Sequence, residues 1–264
     1  MFSVRSGTVA LREGSMDYAV FGKGNRNLVM IPGLSFRDVK GAEMGLAYAF
    51  RLFAKEYRVY VFDKCSIINE GCTVGDLADQ TAEAMTALGI TEADVYGVSL
   101  GGMVAQYLAI RYPELVRKLV LGVTLSRQNE TVSAVVGSWI GLAERGDFNG
   151  IVRDMLTVMY SESYVKRYGW LFPVLAKFCV PKNRERFIRL AKSCLTCDAY
   201  GELPKIECPV LVLGGAKDMI VTGEASLDIA ERLGCECYIY ENSGHSAYDE
   251  EKDFNRRILE FLQR

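Results

Sequence analysis

The stretch VYGVSLGGMVAQ, residues 95–106, decides the fold. An apolar run over residues 93–98 ends on Gly97-Val98-Ser99-Leu100-Gly101-Gly102, and helix-like sequence follows at once. A parallel strand has to leave its sheet sharply if a helix is to pack back on it, and the residue at that corner is pushed into a strained backbone conformation. Residues two positions to either side then approach each other and the helix closely, so glycine is needed where a Cβ would clash. Gly97 and Gly101 stand at those two positions around Ser99. The serine hydroxyl is thereby lifted above the sheet at a helix N-terminus, where unpaired N–H groups and the helix dipole favour a developing anion. A strand before Gly-x-Ser-x-Gly and a helix after it is the context of a nucleophile elbow.

Outward from that corner the chain has a clear rhythm. Alternating segments at residues 3–11 and 16–21 read as an antiparallel hairpin turning at Glu13-Gly14-Ser15. Continuous apolar strands follow at 27–31, 58–62, 94–98 and 118–123, with helical periodicity at 73–88 and a helix at 102–111 stopped before Pro113. Apolar strands separated by helices mark a parallel sheet covered on both faces. From residue 126 to about 203 the strand pattern stops and the sequence is helical and rich in aromatics, Trp139 and Trp170 included. The β rhythm returns at 209–214 and 237–240, with helices over 222–233 and 252–263. The economical reading is one α/β sheet with a helical insertion between its two parts.

A hydroxyl is a poor nucleophile at neutral pH; it needs a base, and the base needs an orienting group. The chain has one histidine, His245, on a loop after the last strand in Asn242-Ser243-Gly244-His245. Asp218 follows the strand PVLVLG on Gly215-Ala216-Lys217-Asp218. Both lie at strand C-terminal ends, where catalytic and ligand groups of open α/β sheets collect. A satisfied core histidine and a solvated loop carboxylate are the plainer readings of each residue alone.

Composition bounds the partners. The 264 residues are 50% hydrophobic and 24% charged, with 31 basic and 33 acidic side chains and a net charge of −2, so neither nucleic acid nor an anionic membrane is called for as a partner. No apolar run approaches the length of a membrane span, and the N-terminal residues lack the apolar core of a secretory signal. Eight cysteines without such a signal point to free thiols in a cytoplasmic setting. Cys194-Leu-Thr-Cys197 has the spacing of a redox or zinc pair but neither the strand context nor further ligands, so it reads as buried thiols. Cys235 and Cys237 alternate on the last strand and would share a face.

The order Ser99, Asp218, His245 matches the chain order of the α/β-hydrolase triad. With GVSLGG, GGAKDMIV and NSGH quoted as they stand, the chain resembles the lid-bearing serine esterases and lipase-like enzymes of the α/β-hydrolase superfamily over essentially its whole length. The resemblance implies a mostly parallel eight-stranded sheet with helices on both faces. It implies a core of residues 1–125 and 204–264, with a helical lid at 126–203 after the sixth strand. It also implies acyl transfer: Ser99 as nucleophile, His245 as base, Asp218 orienting it, no metal or organic cofactor, and activity rising with pH as the imidazole loses its proton. Backbone N–H groups of Leu34 and Leu100 would form the oxyanion hole, although this chain has Pro32-Gly33 where many relatives have His-Gly. Asp63-Lys64-Cys65-Ser66 departs from the Asp-Arg-Gly-x-Gly-x-Ser loop of relatives, and leaves Asp63 either a wall of the site or a structural carboxylate.

A serine at the elbow speaks against epoxide hydrolases and haloalkane dehalogenases, which use aspartate there. The same triad would serve C–C bonds, thioesters, peptides or perhydrolysis, and a ligand receptor with a vestigial triad is the rival of another class. The aromatics Trp139, Phe148, Tyr160, Tyr164, Tyr168, Trp170, Phe172, Phe178, Phe187 and Tyr200 suggest a small-molecule substrate with an apolar or aromatic portion. Arg184, Arg186, Arg189 and Lys192 are expected on a solvated helix face, with a substrate carboxylate as the alternative partner. Oligomeric state is not legible in the sequence.

Overall fold

The computed structural model describes residues 3–172 and 183–264 of the chain. The opening hairpin pairs β1 (Arg5–Ala10) with β2 (Ser15–Phe21) antiparallel. Gly14 takes φ +82 in the turn, a left-handed conformation that glycine adopts without a Cβ penalty. Strands β3 (Arg26–Ile31), β4 (Tyr57–Phe62), β5 (Ala93–Val98), β6 (Val116–Gly122), β7 (Val210–Gly215) and β8 (Glu236–Tyr240) complete one sheet in the order β1-β2-β4-β3-β5-β6-β7-β8. Every pairing from β4 to β8 is parallel.

Alternation along each strand divides the core. On β3, Leu28 and Met30 pack with Phe53, Phe254 and Ile258, whereas Val29 and Ile31 pack with Leu77 and Met103. Helices must therefore lie on both faces: α1 (Glu43–Ala49) and the C-terminal helix on one, α2 (Val74–Ala87) and α3 (Leu100–Arg111) on the other. Helix α2 starts at a capping box, with Asp76 N–H on the Thr73 hydroxyl at 3.2 Å and Thr73 N–H on the Asp76 carboxylate at 2.8 Å. Helix α3 is buried at every position from Leu100 to Ala109, as a helix apolar on nearly all sides must be, and its one polar side chain there, Gln106, donates to Gly102 O and Leu125 O.

Between β6 and β7 the described chain forms α4 (Glu130–Glu144), α5 (Phe148–Met159), α6 (Glu162–Tyr168) and α7 (Arg184–Cys194). Each begins at a residue whose side chain takes an orphan N–H: Asn129, Asp147, Ser161 and Asn183. An isolated bridge between Arg127 and Asp198 closes the base of this segment. Its buried residues, among them Val132, Trp139 and Phe187, join the same apolar cluster as α2 and α3. Phe187 also stacks on Phe36 at 4.6 Å. Phe178 lies outside the described residues.

After β7 come α8 (Gly223–Leu233), β8, a short turn of helix α9 (Ala247–Glu250) and α10 (Phe254–Gln263). Strand β8 is the sheet edge and its first half is exposed. Cys235 precedes that strand, so it and Cys237 do not share a strand face as the alternation predicts. Among the described residues no helix is long and apolar enough to cross a membrane.

Candidate active site

Ser99 stands between β5 and α3 with φ 53 and ψ −120. Such a conformation typically costs about 1–3 kcal/mol and persists only when its surroundings over-determine it. Here they do. The Ser99 N–H donates to Gly122 O at 2.9 Å, while its carbonyl accepts from Gly102 N at 2.8 Å, Met103 N at 3.0 Å and the Thr124 hydroxyl at 2.8 Å. Both backbone groups are thus occupied, and the side chain lines a cavity. The neighbouring glycines are steric necessities. A Cβ on Gly97 would stand 2.3 Å from Gly101 O, and one on Gly101 would stand 1.8 Å from Ile31 O. Val123, next to Thr124, is itself at φ 42 and is held there by its N–H on Leu213 O at 2.8 Å. A β-branched residue in that region is a genuine outlier, and it lies at the edge of the serine's support.

Asp218 and His245 come from the ends of β7 and β8. Asp218 is 7% exposed and His245 4% exposed, so neither is a solvated loop residue. His245 Nδ1 lies 2.7 Å from Asp218 Oδ2, and Asp218 Oδ1 accepts the N–H groups of Ile220 and Val221 at 2.8 and 3.0 Å. A carboxylate so provided with donors is held in one orientation and can hold an imidazole in turn. The histidine loop crosses directly over the end of β7: a Cβ on Gly215 would stand 2.3 Å from Gly244 O. Ser246 N–H donates to Met159 O at 2.8 Å, which pins the same loop to the end of α5.

Ser99 and His245 line one cavity together with Gly33, Leu34, Met103, Trp139, Met155, Met159 and Tyr248. Its walls are apolar, and Trp139 spends its indole N–H on Asp154 at 2.6 Å. The free space is about 50 Å³, small beside the roughly 300 Å³ and more of typical ligand pockets. The β3–α1 loop passes close to the serine: a Cβ on Gly33 would stand 3.2 Å from Ser99 Cβ. Leu34, on that loop, reaches the cavity, and Leu100 is the first residue of α3, whose N–H has no partner within the helix.

The basic residues of α7 are elsewhere. Arg186 is not on a solvated face: it donates to Asp63 at 3.1 Å, Lys64 O at 2.7 Å and Cys65 O at 3.2 Å. Arg189 donates to Ile68 O at 2.8 Å and Lys192 pairs with Glu144 at 3.4 Å. Asp63 is a structural carboxylate, receiving Val39 N–H at 2.8 Å and Lys64 N–H at 2.7 Å besides Arg186. Of the aromatics singled out in the sequence, Trp139 lines the cavity, Tyr160, Tyr164, Tyr168 and Phe172 pack on one another, and Trp170 is 73% exposed. Cys194 and Cys197 are free, buried thiols, both pushed up to about 12 by burial, which suits packing and not thiolate chemistry. Among the described residues no three His, Cys, Asp or Glu side chains gather as a metal site would need.

Two features escaped the sequence. Methionine walls, Met103, Met155 and Met159, carry no motif. Lys64 is almost wholly buried and donates its ammonium to Pro32 O at 2.7 Å. Its signal in the sequence is a lysine two residues after a buried strand, beside Asp63.

A model of the alpha/beta hydrolase family matches residues 28–257. A pimeloyl-[acyl-carrier protein] methyl ester esterase of Neisseria meningitidis is 30% identical over 180 residues, which cover 64% of this chain and 56% of that protein. The 3-oxoadipate enol-lactonase 2 of Acinetobacter baylyi is 21% identical over 264 residues, 97% of this chain and 96% of that one. In three dimensions the chain superposes on the enol-lactonase of Burkholderia xenovorans LB400 with a TM-score of 0.85 and 19% identity, covering 98% of this chain and 100% of the other.

Proposed function

The chain belongs to the alpha/beta hydrolase family, and from that premise we propose that it hydrolyses small, uncharged carboxylic esters through an acyl-enzyme on Ser99. The observation that carries this reading is the 2.7 Å contact of His245 Nδ1 with buried Asp218, on a histidine that shares an apolar cavity with Ser99. His245 takes the proton of the Ser99 hydroxyl as its oxygen attacks the carbonyl carbon. Asp218 holds the imidazole in one tautomer and stabilises the cation that forms. The N–H groups of Leu34 and Leu100 receive the oxyanion. The imidazolium gives its proton to the departing alcohol, and water, deprotonated by His245, releases the acid and restores the serine.

The esterase and lactonase relatives support ester cleavage, and the walls narrow the substrate. Among the described residues no lysine or arginine lines the cavity, so a carboxylate-bearing acyl group would lose its hydration without a partner there. Residues 126–203 act as a cap in this reading, since α4 and α5 supply the wall facing Ser99 through Val132, Trp139 and Met155. Free thiols at every described cysteine, the exposed Cys237 included, suit a reducing cytoplasm.

A fluorophosphonate probe tests the nucleophile and base together: the label is expected on Ser99 and is expected to vanish in His245→Ala. Labelling elsewhere would refute the assignment. A panel of p-nitrophenyl esters should favour acetyl and butyryl over succinyl groups, and thioesters, β-diketones, aminoacyl amides and a peroxide acceptor in the same panel separate ester cleavage from the other bonds this triad serves.

A further inference from the structure

The β3–α1 loop is gripped at both ends by the residues that follow β4. Near its start the Lys64 ammonium donates to Pro32 O at 2.7 Å; near its end Val39 N–H donates to Asp63 at 2.8 Å. Arg186, from α7, locks the gripping residues themselves by donating to Asp63 and to Lys64 O at 3.1 and 2.7 Å. The same carbonyl is also hemmed in by the start of α3, because Pro32 O would stand 2.7 Å from a Cβ on Gly101. Proline has a fixed φ and no N–H, so its carbonyl is the one polar backbone group by which that residue can be held. Leu34 N–H follows two residues later.

We propose that Lys64 is a positioning residue for the oxyanion site: by fixing the Pro32 carbonyl it sets the peptide planes from which Leu34 N–H meets the charge that develops on a substrate at Ser99. The inference rests on the Ser99 reading above. It explains why an ammonium is kept where only 7% of the residue is exposed. A charge-assisted hydrogen bond is roughly twice as strong as a neutral one.

The groups facing Lys64 are Asp63 on its own strand end, Arg186 and Cys194 on α7, and the Pro32 carbonyl, with Asp17 and Asp38 lining the same neighbouring space of about 230 Å³. Burial outweighs Asp63 and pushes the amine down to about 8. A neutral amine still donates to Pro32 O, but without charge assistance.

The test is steady-state hydrolysis of p-nitrophenyl butyrate by the full chain from pH 6 to 9.5. Removing an oxyanion donor costs about 10²–10³ in rate; displacing one should cost less. Lys64→Met is expected to lower kcat about 10–100-fold with KM within about twofold, and to weaken an alkylboronic acid inhibitor by a similar factor. Wild-type kcat is expected to fall several-fold above about pH 8, and this limb should be missing in Lys64→Met. Lys64→Gln, a neutral donor, should recover part of kcat and still lack the limb. A wild-type kcat in Lys64→Met, or the same alkaline limb in all three proteins, overturns the proposal. Should neither variant fold, a wild-type kcat flat from pH 7.5 to 9.5 overturns it alone. Fluorophosphonate labelling separates the two levels: an unlabelled Ser99 sinks the esterase reading, whereas a labelled Ser99 with an unaffected Lys64→Met sinks this inference only.

Discussion

At the end of β5 close packing and backbone hydrogen bonds fix the main chain of the serine; at the ends of β7 and β8 hydrogen bonds to their own polar atoms orient the side chains of the aspartate and histidine. Gly97 and Gly101 leave no room for any other packing of the first corner, and the neighbouring carbonyls close in to within contact of where a Cβ would be. The side chains of Asp218 and His245 are instead oriented by two backbone N–H groups and one 2.7 Å contact. Sterically fixed parts fail by clash and lose the fold. Parts fixed by hydrogen bonds fail by misorientation and lose the chemistry, with the fold intact.

The sharpest way to break this contrast is Asp218→Asn. The amide keeps the shape but favours the wrong imidazole tautomer, and kcat for a p-nitrophenyl ester should fall about 10⁴-fold while thermal stability shifts little. A variant that unfolds would show that the contact is structural. Gly101→Ala should do the reverse, costing about 3 kcal/mol or more by denaturant titration, since backbone and not a movable side chain stands 1.8 Å away.

Lys64→Met separates stability from activity. The folded-state pKa of Lys64 is depressed from 10.5 to about 8, so between those values the unfolded chain binds more protons than the folded one, and the wild type gains stability with rising pH in that window. Below it the whole penalty of the buried charge is present. The variant is therefore expected to be more stable than wild type at pH 7, by roughly 1–3 kcal/mol, with the gap closing towards pH 10. A gap independent of pH would contradict this. The smallest effect sharpens the glycine argument: Gly137, exposed in α4 with nothing within 4 Å of its would-be Cβ, should gain about 0.5–1 kcal/mol as Ala. One substitution type with opposite signs at Gly101 and Gly137 is what steric necessity predicts.

The same contrast explains what was legible in the sequence. Glycine spacing around Ser99 is a local requirement, so it is written locally, and the strands flanking it announce themselves as continuous apolar runs. Observed strand bounds accordingly differ from the expected ones by a residue or two, as at β5 and β6. Asp218 and His245 were legible as residue types at strand ends, but their burial was not, because it depends on Gly215 letting one loop cross another. The short α1 was missed, with one buried side chain, Ala47, to betray it. Arg186 was misplaced because a guanidinium in a basic run looks solvated until three carbonyl and carboxylate acceptors from a distant strand end are seen around it. Those acceptors are more than a hundred residues away in sequence.

The methionines around Ser99 set how the site meets substrates of different size. Met103, Met155 and Met159 are unbranched, and each can swing through several rotamers at little cost. The recess can therefore enlarge by rearranging thioether side chains without displacing a helix, so acyl chains of neighbouring lengths should be turned over with only gradual loss of efficiency. The same sulfurs expose the wall to peroxide: conversion to sulfoxides would place dipoles on the wall beside Ser99.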